Sequence, residues 1–385
     1  MTINDILNEL GQKSRQLIKG CATPAHDGTV LFTPDGIASY NALWVRDFGY
    51  MVEYAGAYLE EDSIEKGIRF IMNARREDGW MPDRVYSDGT PVFAAGEAGS
   101  PVGEANLDNT PFLLFVVHSY LNRIEKEKAI ELYREWKQPL IRGLDLIALS
   151  ESGLVYNDPS APHSPYGFTD TIGKTGELFK ESLLYWRSCI FLAELDVRFG
   201  DRSLAGSLER RAAIIESAIY RLYDESSGAF FAASQDCRQL DIWGNAYMLY
   251  IGFPAAKVKD SILAFLKDQY DNYVYKGQIR HLLKGQHWER LLIDVPHEEY
   301  QNGAYWATAT GWVVWCLAQT DSALAAQTVK DVLDSFKNDG VFECLNEGYS
   351  KLDSFVVSAV NVYGAVDRLV NTEKNVGFIE QFSRA

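Results

Sequence analysis

Carboxyl groups able to move protons recur in this chain beside tryptophan, tyrosine and glycine, most densely between Tyr166 and Trp186. The first half of that stretch, Tyr166-Gly-Phe-Thr-Asp-Thr-Ile-Gly-Lys-Thr-Gly176, is rich in glycine and threonine and resists helix formation. The second half opens an apolar helix, because Leu178, Phe179, Leu183, Leu184, Trp186, Ile190, Phe191 and Leu195 recur near helical spacing. A loop ending on a buried helix is a firm mount for a reactive group, since packing fixes the helix end. The loop offers Asp170; the helix start offers Glu177, Lys180 and Glu181. In a partly desolvated cleft such a carboxyl holds its proton near neutral pH and can act as a general acid. The plainer role for Asp170 or Thr171 is to shape the turn before the helix.

Comparable groupings precede other apolar segments. Tyr40-Asn-Ala-Leu-Trp-Val-Arg-Asp-Phe-Gly-Tyr50 brings Trp44, Arg46 and Asp47 to a helix start: a stacking face, a cation and an acceptor. A surface ion pair with a cap is the alternative for Arg46 and Asp47. In Glu104-Ala-Asn-Leu-Asp-Asn-Thr-Pro-Phe112, Asp108 or Asn109 is placed to cap a helix whose first turn holds Pro111. Trp243 and Asn245 follow Asp241, and Tyr300, Asn302 and Trp306 share one short stretch. Glu343 and Glu347 lie among aromatics between Asp339 and Asp353. Capping accounts for the Asp and Asn residues but not for the accompanying Trp and Tyr. Aromatic faces beside hydrogen-bonding groups match the C–H faces and hydroxyl edges of sugars, so the pattern points to a carbohydrate-sized cleft.

Two kinds of segment alternate to carry these loops. Asp5–Lys19, Ser63–Arg75, Glu125–Ala148, Ser203–Tyr223, Ala256–Tyr270 and Ser322–Lys337 are charged and amphipathic, as outer helices are. Asn41–Leu59, Asp108–Leu121, Leu178–Phe199, Asp241–Tyr250, Tyr300–Leu317 and Ser354–Leu369 are apolar on most sides. Strand patterns are scarce, with short hairpin pieces expected at Gly153–Tyr156 and Gly228–Ala232. Six outer and six inner helices in alternation predict an all-α (α/α)6 barrel of about twelve helices. Loops would enter the inner ring at one mouth. No low-complexity linker divides residues 1–385, which read as a single domain.

At 385 residues and 47% hydrophobic content the chain can build a large core. Its net charge of -16 argues against nucleic acid and anionic membrane as partners. The first ten residues lack a basic start and an apolar core, so no signal peptide is read. Five scattered cysteines without a CxxC pair predict free thiols and a cytoplasmic setting. Six histidines without ligand spacing predict no metal site, and a carboxylate pair requires no cofactor. Monomer and homo-oligomer both remain open.

Tyr300-Gln-Asn-Gly-Ala-Tyr-Trp306 resembles the Tyr-x-Asn-Gly-x-x-Trp signature of the six-hairpin glycosidases, which include glycogen-debranching α-1,6-glucosidases, trehalases, processing α-glucosidase I, mannosylglycerate hydrolase and glucoamylase. Trp44-Val-Arg-Asp47 is similar to the stretch with which glucoamylase-like members grip the terminal sugar. Phe342-Glu343, followed by Asn346 and then Ser358-Ala359, is similar to the family's base-bearing loop. The likeness spans nearly the whole chain, without the β-sandwich domain of many relatives, and so implies a compact enzyme acting on a small substrate. It implies an inverting, exo-acting glycoside hydrolase for a short α-linked oligosaccharide or glycoside. Asp170 then stands where the family places its general acid, before the third inner helix, and Glu343 where it places the base, before the sixth. Trp44, Arg46, Asp47, Asp108, Asn109, Trp243, Asn245, Tyr300, Asn302 and Trp306 would shape the sugar site, with Lys180 and Glu181 orienting Asp170. Asp108-Asn-Thr matches the acid's Asp-Asn-Ser context more literally than Thr-Asp170-Thr does, so Asp108 is the rival acid. Glu347 is the rival base. A sugar epimerase or lyase on the same barrel, or a non-catalytic sugar binder, is the alternative; barrel epimerases rely on histidine pairs, and only His118 falls on an inner segment.

Overall fold

The computed structural model describes residues 2–96, 102–372 and 376–382. Twelve helices alternate along the chain. The outer ones are α1 (Ile3–Gly20), α3 (Glu61–Asn73), α5 (Lys126–Asp145), α7 (Ala205–Ala218), α9 (Lys259–Asp268) and α11 (Ser322–Asn338). Between them run the inner helices α2 (Val45–Ala55), α4 (Asn109–Leu121), α6 (Phe179–Phe199), α8 (Ile242–Tyr250), α10 (Thr310–Leu317) and α12 (Val356–Val370). A short α13 (Val376–Glu380), absent from the sequence reading, packs on α11. Each inner helix packs on the next, α2 on α4 and so on to α10 on α12, and α12 returns to α2. The ring is closed, and the chain forms an (α/α)6 barrel. No helix among the described residues is long and apolar enough to cross a membrane.

Sequence explains the layering. Every residue of α8 is buried, so no polar stripe is needed and the helix runs through the core. By contrast α1 buries Ile3, Ile6, Leu10, Ser14 and Ile18 at three- and four-residue steps, with Gly11 beside them, and leaves its other residues half-buried or exposed. Thr2 and Asp5 start it with a reciprocal capping box. All five cysteines are free and buried.

Three inner helices begin later than the apolar pattern predicts, each for a local reason. Ala42–Trp44 pairs as a strand with Arg84–Tyr86, so α2 starts at Val45. Tyr300 and Gly303 adopt φ of 41° and 137°, which interrupts the run before α10. Gly303 is required there, because a side chain would meet the Glu298 backbone. Leu352 and Ser354 likewise take positive φ just before α12.

Two- and three-residue hairpins are more frequent than expected. Tyr223–Asp224 pairs with Ala229–Phe230, near the expected Gly228–Ala232 piece. In the other expected region the chain turns on itself, with Leu149 bridging Val155, and Tyr156–Asn157 then pairs with the distant Gly176–Glu177. This closes the long loop before α6 at its base.

Candidate active site

Four of the six loops that enter inner helices meet in one open-mouthed pocket of about 370 Å³. The loop before α2 supplies Pro34, Tyr40 and Trp44, and the first turn of α2 supplies Arg46 and Asp47. Gly167, Phe168 and Asp170 come from the loop before α6, Tyr300 from the loop before α10, and Glu343 and Phe355 from the approach to α12. Phe168 is the hub of the apolar lining. Its ring lies 5.7 Å from Trp306, 5.8 Å from Tyr50 and 6.3 Å from Phe355, centroid to centroid.

Asp170 ends a single turn of 3-10 helix, Gly167–Thr169, and its carboxylate does not cap α6. Gln301 Nε2 donates to Asp170 Oδ1 at 2.8 Å, while Gln301 Oε1 accepts from the backbone N–H and hydroxyl of Thr171 at 2.9 and 2.7 Å. One buried amide therefore clamps the carboxylate and the next residue together. Burial pushes the Asp170 carboxyl up to about 7, against the lowering effect of Gln301 and the more distant Arg46.

Glu343 has a different set of neighbours. It is only 3% exposed. The Tyr40 hydroxyl donates to Oε1 and Oε2 at 3.1 Å each, and the Lys351 ammonium is 3.2 Å from Oε2. Burial raises the Glu343 carboxyl above the usual range, with Lys351 and then the two tyrosines Tyr40 and Tyr300 opposing it. Glu347, the rival base, is exposed at the turn of the following hairpin and does not line the pocket.

Arg46 is not a surface residue. Its Nε donates to Asp108 at 2.7 Å, Nη1 to Asp83 at 2.5 Å and Nη2 to Asn109 at 2.9 Å. Burial works against its charge, and Asp108 and Asp83 outweigh that cost and keep it protonated. Gly167 lies so close over this guanidinium that any side chain there would run into it. Asp47 borders the pocket with Oδ1 free of any hydrogen-bond partner, as is the indole N–H of Trp44. Burial pushes the Asp47 carboxyl up to about 8, opposed by Arg46 and reinforced by Glu343. Trp44 is held from behind by the Arg84 guanidinium, 4.5 Å from its ring.

The remaining residues expected around a sugar lie behind this wall. Asp108 makes no capping bond; it accepts from Arg46 and from the backbone N–H of Gly167 at 2.9 Å, so it carries the loop that bears Asp170. Asn109 joins Arg46 to the Met81 and Phe93 carbonyls. Asn245 spends its amide on the Phe230 backbone and the Asp241 carbonyl. Asn302 folds the preceding loop through Trp288 N–H and the Val295 carbonyl. Trp306 is fully buried and donates to the Tyr300 carbonyl. Trp243 is buried between Lys180, 4.9 Å from its ring, and His281, stacked at 3.9 Å. Lys180 has no hydrogen-bond acceptor; Tyr166, Trp243, Tyr247 and Trp312 surround it, and burial pushes its amine down to about 7. Glu181 pairs with Lys174 at 2.6 Å. Neither Lys180 nor Glu181 hydrogen-bonds Asp170.

Tyr40, Phe168, Gln301, Lys351 and Phe355 are the residues that sequence reasoning passed over. Gln301 stood inside a quoted stretch, and its neighbour Asn302 drew the attention. For Lys351 the sequence carries no signal, since a lysine near a turn is ordinarily a solvated one.

Comparison with known proteins adds to this geometry. No protein-family model and no curated protein sequence matches the chain. Among solved structures, the chain is similar to mannosylglycerate hydrolase from Thermus thermophilus in complex with glucose. That match has 15% identity and a TM-score of 0.68, over 92% of this chain and 99% of that one. It is also similar to a rhamnosidase from Klebsiella oxytoca with rhamnose bound, at 14% identity and a TM-score of 0.64 over 96% of this chain and 64% of that one. The chain shares the fold of the six-hairpin glycosidases.

Proposed function

We propose that this protein is a glycoside hydrolase that releases one terminal sugar from a short α-linked oligosaccharide or glycoside, with inversion. Asp170 protonates the leaving oxygen and Glu343 activates water on the opposite face of the ring. The observation that carries this reading is the unlike company of two carboxyls in one pocket. Asp170 is held by a neutral amide and rises to about 7, so it still carries a proton near neutrality. Glu343 is held by an ammonium and a phenol, both of which favour its ionised form. Environments that separate two carboxyls in this way assign the acid and the base.

Trp44 and Asp47 retain an unpaired donor and an unpaired acceptor, the groups that would read sugar hydroxyls. Both similar structures carry sugar-hydrolase names, and one was solved with glucose and the other with rhamnose. The deciding experiment is a screen of aryl glycosides and disaccharides followed by proton NMR of the first product. Inversion requires the opposite anomer to the substrate and a carboxyl separation of about 6.5–9.5 Å. A retained anomer rules the mechanism out, and no turnover of any glycoside leaves a sugar-binding protein.

A further inference from the structure

Lys351 lies outside the sugar-facing residues, on the hairpin in which Cys344–Asn346 pairs with Tyr349–Lys351. The register sets Lys351 opposite Cys344, next to Glu343, and the Glu343 N–H is bonded to the Lys351 carbonyl at 3.0 Å. Backbone and side chain of Lys351 thus both address the same glutamate. A lysine ammonium has three N–H donors, and here each has a destination. One faces Glu343 Oε2 at 3.2 Å and one the Tyr40 hydroxyl at 3.0 Å. The third meets the face of Tyr300, whose ring centroid is 3.2 Å from Nζ. Tyr40 in turn donates its own proton to Glu343. The ammonium therefore has no donor left for a ligand, although its side chain is one-third exposed.

We propose that Lys351 is a positioning residue: it fixes the Glu343 carboxylate, directly and through Tyr40, so that Glu343 is held ionised to receive a proton from the attacking water. The inference rests on the hydrolytic reading for its catalytic consequence, though not for the electrostatic one. Glu343 Oε2 takes both Lys351 and Tyr40, Tyr40 also reaches Oε1, and the Tyr300 side chain is a further neighbour that favours the ionised carboxylate. The other charged or titratable groups facing Glu343 are Asp47 from α2, Tyr300 from the loop before α10, and Cys344 and Tyr349 from its own hairpin. None of these is a cation. Lys351 is the cation in contact with Glu343, and Arg46, which also lines the pocket, is committed to Asp108, Asp83 and Asn109.

The test uses full-length protein carrying carboxyl-13C glutamate, with the Glu343 resonance assigned by its loss in Glu343→Gln. In Lys351→Met the Glu343 titration midpoint should rise by about one pH unit or more, and in Lys351→Arg it should stay near the wild-type value. Both variants should melt close to wild type, because the side chain reaches solvent. With a hydrolysable glycoside, the acidic limb of the kcat/KM profile should move to higher pH by the same amount in Lys351→Met. Its kcat should fall roughly tenfold and recover in Lys351→Arg. An unmoved midpoint in Lys351→Met overturns the proposal. If the wild-type protein hydrolyses nothing, the hydrolase reading fails, while the titration still decides whether Lys351 governs Glu343.

Discussion

Helix α2 carries two carboxylates whose surroundings are opposites. Asp47, in its first turn, borders the pocket with one oxygen unpartnered. Glu53, in its last turn and about 9 Å further along the axis, is gripped by Arg187 from α6 at 2.5 and 3.2 Å. Arg187 also donates to the Tyr247 hydroxyl at 3.1 Å and lies 4.7 Å from the Phe115 and Phe191 rings. Burial works against the Arg187 charge, and Glu53 outweighs it. Nearby, Arg368 rests on Tyr250 and Trp315, and Trp312 donates to Tyr54. Both regions are built from carboxylate, arginine, tyrosine and tryptophan. They differ in what is left over: Glu53 is fully engaged by Arg187, whereas Asp47 and Trp44, which line the pocket, each keep a buried polar atom without a partner. Composition alone does not mark a site; residual hydrogen-bonding capacity on residues that line a pocket adds to it.

The largest effect that would sharpen this contrast is on turnover. Asp170→Asn and Glu343→Gln should each lower kcat on the order of 10²-fold or more, with melting temperatures near wild type. Steady-state kinetics and calorimetry on the same preparations check this. The mirror experiment is Glu53→Gln, which leaves the buried Arg187 charge without its counter-ion. It should cost about 3 kcal/mol of stability in chemical denaturation while kcat/KM holds. Equal damage to activity from Glu53→Gln would break the comparison.

A smaller effect is expected in the pH dependence. The proposed acid, Asp170, would act in its protonated form, and burial pushes its carboxyl up to about 7, so kcat/KM should fall as pH rises through that value. Gln301 donates to the ionised carboxylate and so lowers this midpoint. Gln301→Leu should move the alkaline limb to higher pH and, by freeing Thr171, reduce kcat several-fold. A pH profile measured on both proteins reads out the shift. An alkaline limb unmoved in Gln301→Leu would place the acid elsewhere.

The architecture was largely legible in the sequence. Twelve alternating segments could be read from helical periodicity and from runs such as Ile242–Tyr250 that are apolar on all sides. Their late starts could not, because they depend on pairing between Trp44 and Arg84 and on the turned backbone at Gly303. For the pocket, Asp170, Glu343, Asp47 and Trp44 could be singled out by type and by position before an inner helix. The division of labour around them was hidden. Asp108 and Asp47 both precede or open an inner helix beside polar neighbours, yet one carboxylate turns under the Gly167 loop and the other toward the pocket. Tyr40 and Glu343 are 303 residues apart in sequence, and nothing local in either announces the other.

The packing of α12 against α2 has a consequence for how the protein comes into being. Tyr40 is synthesised 303 residues before Glu343, and Phe355 and the helix that closes the ring follow later still. Until then α2 lacks one of its two inner neighbours, and the apolar side that α12 will cover, around Tyr54, stands open. A nascent chain therefore passes through an incomplete crescent with sticky edges, the kind of species that chaperones shield. Loss of even the final inner helix would do more than remove one wall. It would return the whole molecule to that crescent.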